Sequence, residues 1–154
     1  MGPPFRYRFR VTLDDVDYVR VLYFPRQIHF FMLALEEFFR TGVGIPWTEM
    51  LDTDRLVMPT VNIDVHYARP LHFGDEADIL VQVGRLGEKS FAIDYAVVAA
   101  ADGQTTCTAR HTMAFVESQG WRPIPIPPKY RTALARWHAH DPPRTLRGKK
   151  GHSA

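Results

Sequence analysis

One strongly amphipathic segment constrains the fold more than any other part of this 154-residue chain. Pro25 fits the first turn of a helix, where a missing N–H costs nothing, and residues 42–46 combine the glycine and proline that commonly end one. Between them, apolar residues recur at three- and four-residue steps and so share one helical face. They are Ile28, Phe31, Met32, Leu35, Phe38 and Phe39. The sequence therefore predicts a single long helix from about Pro25 to Thr41.

The remaining sequence is patterned mainly for strands. Residues 5–11 alternate strictly between apolar and cationic side chains, which is typical of a half-exposed strand. Similar patterns predict strands near Val57–Tyr67, Ala77–Leu86, Ser90–Ala100 and Thr105–Glu117, and a short helix over Lys129–Trp137. One long helix followed by adjacent strands predicts an α+β fold with a mostly antiparallel sheet.

Charge and length favour one folded domain over residues 1–137. The net charge is +2, but the segment after Trp137 carries +3, so the body carries −1. A nucleic-acid-binding domain would concentrate positive charge on its folded face, and this one does not. Residues 138–154 are predicted to form a polar, basic and flexible tail. We therefore expect no nucleic-acid partner.

Several other functions are excluded by the residues the chain lacks. No run approaches the ~18 apolar residues of a membrane span, and the first residues lack a signal-peptide core, so no membrane association is expected. The lone Cys107 excludes an internal disulfide and suits a cytoplasmic protein. Nucleophile-elbow, P-loop and dinucleotide-binding motifs are absent. Residues 138–141 contain two histidines and an aspartate but have no second ligand cluster, so no metal site is predicted.

A carboxylate close to the helix start is the main candidate for chemistry. Asp17 lies eight residues before Pro25. A helix start presents unpaired N–H groups and the positive end of the dipole, which together can stabilise an acyl-transfer oxyanion. The position also fits a turn cap, because Asp14 and Asp15 cluster with Asp17 at a strand-to-loop junction.

The order of motifs resembles the hotdog-fold acyl-CoA thioesterases of the 4-hydroxybenzoyl-CoA thioesterase family. The similar segments are Asp17, Val21-Leu22, Tyr23-Phe24, Pro25, Met58-Pro59-Thr60, residues 67–71, Phe73-Gly74-Asp75 and residues 87–91. They lie within residues 5–134. Three positions depart from the family pattern. Arg20 replaces a glycine, Arg26-Gln27 replaces an Asn-Tyr type pair, and no histidine follows Tyr23.

The resemblance implies a single hotdog domain, in which a five-stranded antiparallel sheet wraps around one long central helix. It also implies hydrolysis of acyl-CoA thioesters to free acid and coenzyme A, with Asp17 as general base or nucleophile. The backbone N–H of Phe24 would form the oxyanion hole, and Tyr23, Phe24, Pro25 and Thr60 would bind the substrate. Coenzyme A, entering only as part of the substrate, would be held by Arg69, Arg85, Lys89 and Ser90. No other cofactor is expected.

The resemblance further implies a homodimer or homotetramer. Other functions stay open at this point: a hotdog enzyme acting on carrier-protein-bound acyl chains, a hydratase, or a non-catalytic acyl-binding or assembly protein. Arg20 keeps the last alternative open, because arginine does not readily adopt the backbone shapes that glycine tolerates. Its guanidinium either pairs with Asp17 and keeps the carboxylate ionised, or is solvated.

Overall fold

A five-stranded antiparallel sheet forms the framework of the protein in a computed structural model, which describes residues 2–139. The strands are β1 (Phe5–Arg10), β2 (Leu56–Val57), β3 (Thr60–Tyr67), β4 (Glu76–Leu86), β5 (Ser90–Ala99), β6 (Thr105–Ala114) and β7 (Val116–Glu117). The main sheet has the order β1-β4-β5-β6-β3, so β3 is an edge strand, and β2 pairs separately with β7.

The predicted helix crosses one face of this sheet. Helix α1 spans Phe24–Glu37, continues as a π-helical turn over Phe38–Val43, and ends at Gly44, whose φ is 79°. Its buried side chains fill the core, and the Phe31 ring stacks on Tyr95 of β5 at a centroid distance of 4.6 Å. The predicted α+β hotdog arrangement is therefore confirmed.

Two predicted strands are each broken into two pieces. The segment predicted near Val57–Tyr67 is interrupted at Met58-Pro59, and the one near Thr105–Glu117 is interrupted at Phe115. Pro59 has no N–H to donate to a neighbouring strand, and the regular pairing with β6 begins only at Thr60. The outer pieces pair with each other instead, with Leu56 opposite Glu117.

A second helix and the chain after it pack against the same core. Helix α2 spans Pro128–Ala135 and buries Tyr130 and Leu134. The Trp137 indole N–H donates to the Gly42 carbonyl at 3.2 Å. Ala139 N–H donates to the Val83 carbonyl at 3.1 Å, so the chain is hydrogen-bonded to the body beyond the predicted boundary at Trp137. Residues 140–154 of the predicted tail lie outside the described residues.

The sheet face turned away from α1 carries buried charges that are paired. Asp78 on β4 accepts hydrogen bonds from Arg6 and Arg8 on β1. The Arg8 hydrogen bond is the main cause that lowers the pKa of Asp78, against the opposing effect of burial. Asp94 on β5 receives both a Nε–H and a Nη2–H bond from Arg110 on β6, each at 2.8 Å.

No helix within residues 2–139 is long and apolar enough to span a membrane.

Candidate active site

The loop that carries Asp17 is held as a narrow antiparallel ladder that leads directly into α1. Val16 bridges Leu22, the Asp17 N–H donates to the Val21 carbonyl at 3.1 Å, and the Tyr23 N–H donates to the Asp15 carbonyl at 2.9 Å. Residues 15–17 therefore run beside residues 21–23. The geometry fixes the carboxylate relative to the helix start.

Asp15 anchors this ladder and is not free to react. Its buried carboxylate accepts hydrogen bonds from Thr12 N–H and Oγ1–H at 2.8 Å and from Arg26 Nε–H at 2.9 Å. Burial alone would raise the pKa of Asp15, but the Thr12 and Arg26 hydrogen bonds outweigh it and hold the pKa below its usual value. Among the three clustered aspartates the family resemblance singles out Asp17, and the structure gives Asp15 a structural role.

Asp17 has one fixed and one free carboxylate oxygen. Its Oδ1 accepts hydrogen bonds from the backbone N–H groups of Val19 at 3.0 Å and Val21 at 3.4 Å. Its Oδ2 has no hydrogen-bond partner among residues 2–139. The side chain is half-buried. One oxygen therefore orients the carboxylate while the other is left for chemistry.

Arg20 adopts the backbone conformation that favours glycine. Its φ is 64°, its N–H donates to the Asp17 carbonyl at 2.9 Å, and its carbonyl accepts the Phe73 N–H at 3.1 Å. Arg20 is exposed and forms no ion pair with any acid in the described part of the chain. Of the two sequence-based alternatives, the structure supports the solvated guanidinium. The loop keeps its shape without glycine.

The start of α1 is open and carries an unused donor. The Phe24 N–H has no acceptor within the described residues, and Pro25 has no N–H. The Phe24 carbonyl accepts the Tyr67 hydroxyl at 3.3 Å, which ties the helix start to the end of β3. The side chains of Tyr23 and Phe24 are about half exposed. This arrangement matches a main-chain oxyanion site.

The predicted site residues divide between two opposite ends of the sheet. At the first end, Tyr67 of β3 lies opposite Cys107 of β6, and the Leu22 N–H reaches the Leu71 carbonyl at 2.8 Å. This Asp17 end holds Asp17, Tyr23, Phe24, Pro25 and Arg69. At the second end, Thr60 lies opposite Met113, and Met113 lies opposite Phe91, next to the β4–β5 hairpin. This Thr60 end holds Thr60, Arg85, Lys89 and Ser90.

The two ends are too far apart for one chain to bring these residues together. Thr60 and Tyr67 are separated by seven residues along β3, or about 23 Å at the rise of a β-strand. The predicted site is therefore not assembled within one chain.

The predicted coenzyme A residues are partly engaged with each other or with acids. Arg69 forms a bidentate pair with Asp102 at 2.9 and 3.0 Å, with both side chains exposed. Arg85 Nη2–H donates to Ser90 Oγ at 3.0 Å, and Lys89 is exposed beside them. Arg85, Lys89 and Ser90 thus form one surface cluster at the Thr60 end, whereas Arg69 lies at the Asp17 end.

An apolar cavity of about 190 Å³ opens at the Thr60 end. Its lining is formed by Met32, Leu35, Trp47, Met50, Leu51, Val57, Met58, Thr60 and Met113. The Thr60 hydroxyl lies 2.7 Å from His111 Nε2, and His111 Nδ1 lies 3.2 Å from the Tyr95 hydroxyl. Burial lowers the pKa of His111 and raises that of Tyr95, so both are neutral at pH 7.

Sequence reasoning did not identify His111, Tyr95 or Trp47. The signal for His111 was its place in an alternating series of β6 with Cys107, Ala109 and Met113, which puts an imidazole on the core face.

No group of three or more histidines, cysteines, aspartates and glutamates within residues 2–139 could hold a metal ion.

The sequence of this chain is similar to those of known proteins over most of its length. Residues 11–134 match the family model of the thioesterase-like superfamily. The 1,4-dihydroxy-2-naphthoyl-CoA hydrolase of Synechococcus elongatus is 27% identical over 131 residues, which cover 83% of this chain and 94% of that one.

Solved structures show the same fold. A 1,4-dihydroxy-2-naphthoyl-CoA thioesterase from Synechocystis superposes with a TM-score of 0.78 at 21% identity, covering 85% of this chain and 95% of the other. A 4-hydroxybenzoyl-CoA thioesterase mutant with bound 4-hydroxybenzoyl-CoA gives a TM-score of 0.79 at 18% identity, covering 86% and 99%.

Proposed function

Because the chain belongs to the thioesterase-like superfamily and hydrolyses acyl-CoA thioesters, we propose that Asp17 is the reacting carboxylate. The observation that carries the proposal is the difference between its two carboxylate oxygens. Oδ1 accepts hydrogen bonds from backbone N–H groups, whereas Oδ2 has no partner in the described residues. The unused Phe24 N–H at the same end of the molecule would stabilise the carbonyl oxygen as it becomes negative.

Two routes fit this geometry. In the first, Oδ2 takes a proton from water as the water attacks the thioester carbonyl carbon, and coenzyme A leaves as its thiolate. In the second, Oδ2 attacks that carbon itself, the C–S bond breaks, and water then hydrolyses the acyl–aspartyl anhydride. Both routes consume one water and yield the acid and coenzyme A thiol.

Replacing Asp17 by asparagine tests the assignment. Asp17→Asn keeps the side-chain shape and removes the charge and the basicity, so kcat should fall at least ~100-fold with folding intact. Asp14→Asn, at an exposed position in the same loop, is the matched control and should retain turnover. Full turnover in Asp17→Asn would refute the assignment. A single turnover in ¹⁸O-water separates the routes, because only the anhydride route can place ¹⁸O in the Asp17 carboxylate.

We further propose that each active site is shared by two chains. Strand β3 is an edge strand with exposed apolar side chains, including Val61 at 65% and Tyr67 at 47% exposure. Antiparallel pairing of β3 with its copy across a two-fold axis would satisfy the free edge. It would also bring the Thr60 end of one chain beside the Asp17 end of the other, which assembles all the predicted site residues.

Mixed dimers test the shared site. The Asp17→Asn variant lacks the reacting group, and a Thr60→Arg variant fills the cavity, so each alone should be inactive. When the two are unfolded and refolded together, half of the dimers are mixed and each has one intact site, giving about one quarter of wild-type activity. No recovery despite mixed-dimer formation would contradict a shared site.

The acyl group is proposed to occupy the cavity at the Thr60 end. Four of the five methionines in the chain line it, together with Trp47. Polarisable thioethers pack well against aromatic rings and adapt to their shape. The curated relative is named for a naphthoyl thioester. We therefore propose an aromatic acyl-CoA as the substrate class. Comparison of kcat/KM for naphthoyl-, benzoyl- and hexanoyl-CoA tests this, and a preference for hexanoyl-CoA would overturn it.

A further inference from the structure

The cavity at the Thr60 end is apolar apart from two groups that can donate hydrogen bonds. One is the Thr60 hydroxyl. The other is the indole of Trp47, whose Nε1–H is buried and has no acceptor in residues 2–139. The remaining lining side chains belong to methionine, leucine and valine, so no carboxylate, amide or second hydroxyl lines the cavity.

The direction of the Thr60 hydroxyl follows from counting the protons of the buried groups behind it. The Tyr95 side chain is fully buried, and its hydroxyl proton has one acceptor among the described residues, His111 Nδ1. A buried donor without an acceptor costs about 1–3 kcal/mol, so Tyr95 donates and Nδ1 carries no proton. The proton of the neutral imidazole is then on Nε2.

The tautomer of His111 in turn fixes the direction of the Thr60 hydroxyl. His111 Nε2–H donates to Thr60 Oγ1 at 2.7 Å, which leaves the Thr60 proton free for an acceptor elsewhere. The opposite arrangement would turn the Thr60 proton towards His111 and leave the Tyr95 proton buried without a partner. Only the first arrangement gives the buried Tyr95 hydroxyl an acceptor, and it leaves the Thr60 hydroxyl as a donor at the cavity.

We propose that Tyr95 and His111 act as positioning residues that fix the Thr60 hydroxyl as a hydrogen-bond donor, so that the acyl group held in the cavity carries an acceptor oxygen. The substrate class is then a largely apolar acyl thioester with an ether, carbonyl or phenolic oxygen away from the thioester. This inference rests on the proposed use of the cavity for the acyl group.

The tautomer of His111 can be measured without any substrate. Imidazole ¹⁵N shifts distinguish a protonated from an unprotonated ring nitrogen, and the His111 signals are assigned by their loss in His111→Gln. In the wild-type protein we expect a proton on Nε2 and none on Nδ1. In Tyr95→Phe the Nδ1 atom loses its hydrogen-bond donor, so its ¹⁵N signal should move to the position of an unprotonated nitrogen without a hydrogen bond. A wild-type imidazole protonated on Nδ1 would overturn the proposal.

The substrate test uses two acyl groups of nearly equal shape. 4-Methoxybenzoyl-CoA has an acceptor oxygen where 4-ethylbenzoyl-CoA has a methylene. In the wild-type enzyme we expect kcat/KM to favour the methoxy ester by about 10-fold, the effect of one hydrogen bond. This ratio should fall to about 1 in Thr60→Val, which keeps the shape of the side chain, and should persist in Thr60→Ser. Equal ratios in the wild type and Thr60→Val would refute the proposal.

Binding separates this inference from the proposed reaction. Non-hydrolysable thioether analogues of the same two acyl groups should show the same roughly 10-fold ratio in Kd, lost in Thr60→Val. If neither ester is hydrolysed but the Kd ratio holds, the proposed reaction fails and the donor assignment stands. If both esters are hydrolysed without a preference in either measurement, the donor assignment fails alone.

Discussion

Arg20 shows at the scale of one residue how the loop tolerates a departure from the family pattern. Its φ of 64° places it in the left-handed region, where a non-glycine residue carries strain. Two hydrogen bonds offset this strain, because the Arg20 N–H donates to the Asp17 carbonyl and the Arg20 carbonyl accepts the Phe73 N–H. The loop around Asp17 is therefore set by its hydrogen bonds rather than by a glycine.

Replacing Arg20 should separate backbone strain from charge. Arg20→Gly and Arg20→Ala both remove the guanidinium, but only glycine relieves the left-handed strain. We expect the free energy of unfolding of Arg20→Gly to exceed that of Arg20→Ala by about 1 kcal/mol in urea denaturation. Equal stability of the two variants would show that the loop is not strained. Since Arg20 makes no ion pair with Asp17, the acidic limb of the pH–rate profile should be the same in both variants and the wild type.

His111 should make stability depend on pH. Burial lowers its pKa in the folded protein, while its unfolded value is near 6.5. Below pH 6.5 the unfolded chain therefore binds a proton that the folded chain does not, so stability falls as pH decreases. The limiting slope for one such group is about 1.4 kcal/mol per pH unit. Urea denaturation between pH 7.5 and 5 measures it, and His111→Gln should show a shallower slope. Parallel slopes would contradict a neutral buried imidazole.

At the scale of secondary-structure elements, the pairing of β4, β5 and β6 depends on the absence of a side chain at Gly84. A Cβ at this position would lie 2.1 Å from the Asp94 Oδ2 atom, which is held by Arg110. The carboxylate cannot move away without losing its bidentate pair, and Asp94 is only 1% exposed. Glycine at position 84 therefore leaves room for the buried Asp94 carboxylate, which pairs with the exposed Arg110 on the neighbouring strand.

Gly84→Ala should accordingly destabilise the sheet. Overpacking of a fixed neighbour typically costs about 2 kcal/mol, and displacement of Asp94 would add to it. Thermal unfolding should show a clear loss relative to Gly2→Ala, a control position where an added Cβ meets nothing within 4 Å. Equal melting temperatures for the two variants would show that Asp94 and Arg110 can rearrange freely.

The elements that the sequence predicts well are those whose signals are local. The apolar period of α1 and the alternation of β4 and β5 lie within each segment, and these elements agree with prediction to within a few residues. The pairing of β2 with β7 was missed because the two strands lie about 60 residues apart. The roles of Asp15 and His111 likewise depend on Arg26, Thr60 and Tyr95, which no spacing rule joins to them. Thr12 and Asp15, by contrast, have the three-residue spacing of a helix capping box, which is a local signal.

At the scale of the whole molecule, the exposed edge of β3 predicts assembly. Val61 is 65% exposed in that strand, next to the irregularity in the β3–β6 register between Thr60 and Asn62. We expect sedimentation of the wild-type protein at twice the 17.7 kDa of one chain, or a multiple of it. A monomer at micromolar concentration would contradict a site shared by two chains.

Charge placed on this edge should abolish both assembly and activity. Val61→Lys puts a cation where two copies of β3 would meet, so we expect a monomer that has lost hydrolysis although Asp17 is untouched. Leu13→Lys is the matched control, since Leu13 is a similarly exposed aliphatic residue, at 72%, outside β3. Sedimentation and hydrolysis measured on the same samples test the link. An active Val61→Lys monomer would show that one chain suffices.

The distance along β3 between Thr60 and Tyr67 has an evolutionary consequence. Residues that would select the acyl group lie at one end of the strand, and the carboxylate that would react lies in a loop at the other end. Mutations that reshape the cavity therefore leave the Asp17 ladder and its hydrogen bonds in place. Such separation allows a lineage to acquire new substrates through substitutions among the cavity-lining residues, while the residues that carry out the chemical step stay the same.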